Sequence, residues 1–101
     1  MKIDYNVLFF PDVEKDKEDG KLRMRLRWNK NVLNFNVGHR VIVDKWNKDT
    51  QRCKRNTTNL KKTSSSIINS EIQHFQDMVD NVFKTFELSG TQPTKEEFKN
   101  A

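Results

Sequence analysis

Cysteine occurs once, at position 53, which leaves no disulfide framework and no cysteine-pair metal knuckle; a reduced, incidental thiol is expected. Glycine occurs three times, at 20, 38 and 90, too few and too scattered for a phosphate-cradling loop. The two histidines, His39 and His74, have no second histidine, cysteine or carboxylate at ligand spacing. Asp12, Glu14, Asp16, Glu18 and Asp19 resemble a calcium loop superficially, without its central glycine or final glutamate. No H-E-x-x-H or nucleophile elbow is present, so no catalytic residue, metal or cofactor is expected and the chain is not read as an enzyme. No apolar run approaches the ~20 residues that span a bilayer. Met1-Lys2-Ile3-Asp4 does not open a signal peptide. The expectation is therefore no membrane partner and a cytoplasmic, nucleoid-associated location.

What is abundant is charge, and it is segregated. The net charge is +5. Between Lys21 and Lys62 thirteen Lys and Arg meet only Asp44 and Asp49, a local net of +11, so the rest of the chain sums to −6. This segregation points to a polyanionic partner for the middle of the chain. The competing reading is a basic, solvated surface with no partner.

Within that region, Lys21 to Val37 alternates with period two around a polar turn. Leu22, Met24, Leu26 and Trp28 are apolar, with Lys21, Arg23, Arg25 and Arg27 between them. Beyond Asn29-Lys30-Asn31, Leu33, Phe35 and Val37 alternate with Asn34 and Asn36. Successive strand side chains point to opposite faces, so the pattern predicts a half-buried hairpin with one greasy and one cationic, amide-bearing face. Residues 3–10 read as a first strand, and 11–20 as a long acidic, solvated connection. Strand two is expected at Lys21–Trp28 and strand three at Val32–Val37. Val41, Val43 and Trp46 anchor a short extended piece and turn, with Trp46 as a packing residue.

Residues 49–64 are polar and basic and are expected as a loop. Its Arg52, Lys54, Arg55, Lys61 and Lys62 are either solvated or an arm that settles on phosphates. Ser64-Ser65-Ser66 offers N-caps for a long helix whose stripe is Ile68, Ile72, Phe75, Val79, Val82 and Phe86, widened by Met78 and Phe83. Such a helix must bury its stripe against the sheet, so the fold class is α+β. Leu88 to Pro93 read as a linker. Thr94-Lys95-Glu96-Glu97 looks like a capping box opening a second helix with no room to bury anything. The organisation expected is a domain at 1–90 and, at 91–101, a linker with the start of a truncated helix.

Arginine presents a planar fork that grips phosphate or the O6/N7 edge of guanine; asparagine pairs with the N6/N7 edge of adenine. A small sheet bearing both can enter a major groove as β-ribbon readers do. Lys and Arg also occur on edge strands merely to discourage aggregation, so the pattern by itself is only moderately specific.

The order of Arg25-Leu26-Arg27-Trp28-Asn29, Val43-Asp44-Lys45-Trp46-Asn47 and Asn69-Ser70-Glu71-Ile72 resembles the amino-terminal arm-type DNA-binding domain of tyrosine recombinases, the phage-type integrases of bacterial mobile elements. The resemblance covers roughly residues 4–88. It implies a three-stranded antiparallel sheet packed on one long C-terminal helix, and a sheet face docked in the major groove of double-stranded DNA at arm-type sites during DNA integration. Carried over by position, it implies DNA contacts by Arg23, Arg25, Arg27, Asn34 and Asn36, with Lys21, Lys30 and Arg40 as phosphate neighbours. In relatives a core-binding and a catalytic domain follow, so the chain itself is expected not to cut DNA, and other recombinase subunits are expected partners. The alternatives are a double-stranded RNA-binding module or a protein-interaction domain working through the helix or the acidic loop.

Overall fold

The centre of the architecture is the alternating cationic strand. In the computed structural model, which describes residues 1–101, it is the middle strand of a three-stranded antiparallel sheet, flanked by its sequence neighbours: β1 (Tyr5–Val13), β2 (Asp19–Trp28) and β3 (Asn31–Ile42). A short 3-10 turn (Val43–Lys45) leads into a two-stranded ribbon, β4 (Trp46–Asn47) and β5 (Arg52–Cys53). The long helix α1 (Ser65–Ser89) and the short α2 (Lys95–Lys99) complete an α+β fold.

The alternation translates directly into two faces. Leu22, Met24, Leu26 and Trp28 are at most 2% exposed and form the floor of the core, joined by Phe9, Leu33, Val37 and Val41. Each fully buried side chain of this size contributes about 1.5–3 kcal/mol. α1 lies on that floor through Ile68, Ile72, Val79 and Phe83. Tyr5 stacks on Phe83 at 4.1 Å between ring centroids, and Trp28 meets it edge-on at 5.5 Å. The centre of the helix stripe is therefore Phe83, with Phe75, Val82 and Phe86 half-buried beside it and Met78 exposed. Tyr5 donates its hydroxyl proton to Asp80 Oδ1 at 2.6 Å; burial first, then that carboxylate, pushes the phenol up to about 12.

The strands run further than the alternation predicts. β1 continues through Pro11 and Asp12 to Val13, which shrinks the acidic connection to Glu14–Glu18. The pairing survives because Gly20, opposite Val13, has no side chain: a Cβ there would stand 2.4 Å from the Asp12 carbonyl oxygen. The hairpin between β2 and β3 closes in two residues, Asn29 and Lys30, both with positive φ, the turn whose twist matches that of the strands. β3 continues past Val37 by means of a bulge. Val37, Gly38 and His39 together stand opposite Leu22, because Arg23 pairs with Asn36 and Lys21 with Arg40. Gly38 takes φ +95°, where a side chain is strained, and its N–H is accepted by Asn36 Oδ1 at 2.9 Å. Two extra residues leave the in-out parity unchanged, so Val41 still points to the core.

The polar segment after the sheet is bound to the core at several points. Trp46 is buried. Gln51 Oε1 accepts the Phe9 N–H at 2.9 Å, covering one donor on the open edge of β1. The Asn69 side chain brackets Cys53, accepting from its N–H at 2.8 Å and donating to its C=O at 3.1 Å, which pins α1 to β5. Burial pushes the Cys53 thiol up to about 11. Asn59, buried, donates to the Arg40 carbonyl at 3.0 Å.

Ser64 caps α1 by accepting from Ile67 N–H, and the Gly90 N–H closes its other end on the Glu87 and Phe86 carbonyls. The capping box at Thr94 and Glu97 is formed. The short helix it opens does bury a residue, contrary to the sequence reading. Phe98 is 7% exposed and packs 5.4 Å from Trp28 and 5.2 Å from Phe83, while Trp28 Nε1 donates to Pro93 O at 2.9 Å. Residues 91–101 thus pack on the same core as the sheet. No helix is long and apolar enough to cross a membrane.

Candidate nucleic-acid interface

Because β2 is central and its even-numbered side chains are buried, Lys21, Arg23, Arg25 and Arg27 all stand on the face away from α1. The register brings specific neighbours to each. Arg27 lies between Asn6 and Val32, Arg25 between Leu8 and Asn34, Arg23 between Phe10 and Asn36, and Lys21 between Asp12 and Arg40. Lys30 sits at the hairpin tip. The eight residues expected from the sequence are therefore brought to one face and its rim.

They are not equivalent once their partners are considered. Arg40 is committed to Asp19: its Nε donates to Oδ2 and its Nη2 to Oδ1, both at 2.9 Å. Asp19 is 6% exposed, and the hydrogen bonds from Arg40 hold its carboxyl below the usual carboxylate range. The expectation that Arg40 serves as a phosphate neighbour is thus weakened, since a carboxylate already neutralises it. The Asn36 carboxamide oxygen is spent on the bulge at Gly38, which leaves only its NH₂ for a ligand. Arg23 donates Nε to Asp12 Oδ2 at 2.8 Å. Arg25 donates Nε to Asn34 Oδ1 at 3.3 Å, and its guanidinium lies 4.9 Å from the centre of the Phe10 ring. Lys21, Arg27 and Lys30 make no ion pair or side-chain hydrogen bond.

Sequence reasoning missed the contribution of β1. Asn6, Leu8, Phe10 and Asp12 occupy the same face, and a shallow hollow of about 140 Å³ lies between Asn6, Leu8, Arg25 and Arg27. The signal was available: these are the even positions of β1, and Leu8 and Phe10 break an otherwise clean alternation. Asp12 was hidden by its place in an acidic run that reads as solvated loop.

The basic loop divides as well. Arg52 lies across the Phe9 ring at 5.7 Å and donates to Gln51 O and Gln73 Oε1. Burial lowers its pKa, and its guanidinium is packed against the protein's own surface. Lys54, Arg55, Lys61 and Lys62 are exposed. No group of His, Cys, Asp and Glu is arranged to hold a metal ion.

Fold and face together define a small α+β domain with a cationic sheet surface opposite its core. No family model matches the chain, and comparison with curated proteins and with solved structures gave no match.

Proposed function

We propose that the outer sheet face binds double-stranded DNA in the major groove, as the arm-type DNA-binding module of a mobile-element tyrosine recombinase whose other subunits are its protein partners. The observation that carries this reading is the placement of Arg23, Arg25 and Arg27 in one row on the face opposite α1. Strands spaced about 4.8 Å apart put β1 and β3 roughly 10 Å from each other. The major groove is about 12 Å wide, so the middle of the β2 row can meet base edges while its two ends and the hairpin tip meet the backbone. Lys21, Arg27 and Lys30 are the phosphate contacts of this arrangement, and Arg23, Arg25 and Asn34 its base-facing groups. The narrower assignment rests on the resemblance of the ordered motifs at Arg25–Asn29, Val43–Asn47 and Asn69–Ile72 to those of recombinase arm-binding domains.

Fluorescence anisotropy with duplexes from the ends of the element tests it over a salt series. Lys21, Arg27 and Lys30 as the three phosphate contacts give a log–log salt slope of about −3. Arg25→Ala is expected to weaken binding about tenfold with a melting temperature almost unchanged. Equal affinity for scrambled DNA removes the sequence-reading part, and no binding at low salt removes the whole reading. An RNA duplex that competes equally overturns the DNA assignment, because side chains cannot enter the narrow major groove of A-form RNA. Loss of binding on alanine substitution in Glu14–Glu18, and not on β2, points to protein interaction instead.

A further inference from the structure

A guanidinium has five N–H donors, and which of them a neighbour takes decides what the rest can do. Arg40 gives Asp19 both Nε and Nη2, so one whole edge of its guanidinium is spent on a buried carboxylate. Arg23 and Arg25 are held differently. Asp12 takes only the Nε–H of Arg23, and Asn34 only the Nε–H of Arg25. Phe10 supports the plane of the Arg25 guanidinium from one side. In both residues the terminal Nη pair keeps its N–H groups free of protein acceptors while the root of the fork is fixed. Arg27 has no such tie.

We propose that Asp12 and Asn34 are positioning residues that aim the Nη forks of Arg23 and Arg25 at guanine, so that the face is specific for DNA carrying two guanines two base steps apart. This rests on the DNA-binding reading above. Guanine offers N7 and O6 as paired acceptors in the major groove, the match for a two-donor fork. A long side chain tied beforehand loses less freedom on binding, so the energy of the two hydrogen bonds appears as discrimination. The spacing agrees as well: alternate residues on β2 stand about 6.6 Å apart, and two base steps cover about 6.8 Å. Arg27, untied and next to the hairpin tip, takes a phosphate. Asp12 also acts against the wrong contact, because its carboxylate repels a phosphate approaching Arg23.

Selection from duplexes with a randomised central segment, followed by 7-deazaguanine substitution in the selected site, tests this on the unmodified chain. The expected site carries two guanines separated by a single base pair, and replacing N7 of either weakens binding about tenfold. Asp12→Ala is expected to retain its melting temperature, to lose most of the preference at one guanine only, and to bind scrambled duplex more tightly. Asp12→Asn, whose amide oxygen can still accept from Nε, restores part of that preference. Asn34→Ala is expected to lose the preference at the other guanine. Selected sites indifferent to guanine, or unchanged discrimination in the alanine variants, overturn the assignment while leaving DNA binding intact. Failure to bind any duplex at low salt overturns the DNA-binding reading and this one with it.

Discussion

Arg23 and Arg40 have the same side chain, stand on the same face and each meet a carboxylate, yet they end in different states. Asp12 is exposed and takes one donor; Asp19 is almost fully buried and takes two. The first pair is a surface contact, of the kind that contributes between nothing and about 1 kcal/mol. The second joins the start of β2 to the end of β3, and its carboxyl is held below the normal range by Arg40. Asp19 thus binds a proton less readily in the folded protein than in the unfolded chain. The stability it contributes is fully present above the ordinary aspartate pKa and is lost as pH falls below it toward the lowered pKa of the folded state. Asp19→Asn is expected to lower the melting temperature at neutral pH and to flatten its decline in acid, with the two curves drawing together as pH falls below the ordinary carboxylate range. Parallel curves in a pH series of thermal melts contradict the pairing. From sequence, Asp19 was one acid among five and gave no sign that it differed from Asp16, since burial is a property of its position after folding.

At the level of elements, the long β1–β2 hairpin depends on a missing side chain. A methyl group at Gly20 would stand 2.4 Å from the Asp12 carbonyl oxygen, so it displaces backbone, not a flexible side-chain end. Gly20→Ala is expected to cost about 1–3 kcal/mol, as overpacking does. It also frays β1 beyond Phe10, and with it the Asp12–Arg23 contact. Denaturant unfolding measures the first effect, and amide exchange at Asp12 and Val13 the second. The sequence showed that strands one, two and three exist and which face of β2 is wet, because period two is local. It did not show that β1 and β3 outlast their patterns. Strand ends are set by partners: Pro11 and Asp12 are strand residues because Lys21 and Leu22 lie beside them, and Arg40 re-enters the ladder only after the bulge at Gly38.

For the whole molecule, the unexpected element is the last one. Phe98 closes a cluster with Trp28 and Phe83, and Pro93 accepts the indole N–H, so the terminal segment covers one end of the core. Phe98→Ala is expected to cost about 3 kcal/mol, which for a chain of this size lowers the melting temperature by on the order of 10 °C. The DNA binding proposed for the outer face should stay within twofold of wild type at a temperature where both are folded, because the cluster lies on the opposite side of the sheet from the arginine row. An unchanged melting temperature would mean that residues 91–101 stand outside the cooperative unit.

Alternation, helical spacing and cap residues act between neighbours in the chain. The amino-acid order alone was therefore enough for the α+β class, the two-faced hairpin and the amphipathic helix with its Ser64 cap. Partner choice across the sheet acts between residues far apart in the chain. That is why only the tertiary structure decided that Arg40 is neutralised, that Arg23 and Arg25 keep their forks free, that β1 contributes half the rim of the face, and that Phe98 is core. A charge is written in the sequence, but what it can still bind depends on which acceptors folding places within 3 Å or so of it.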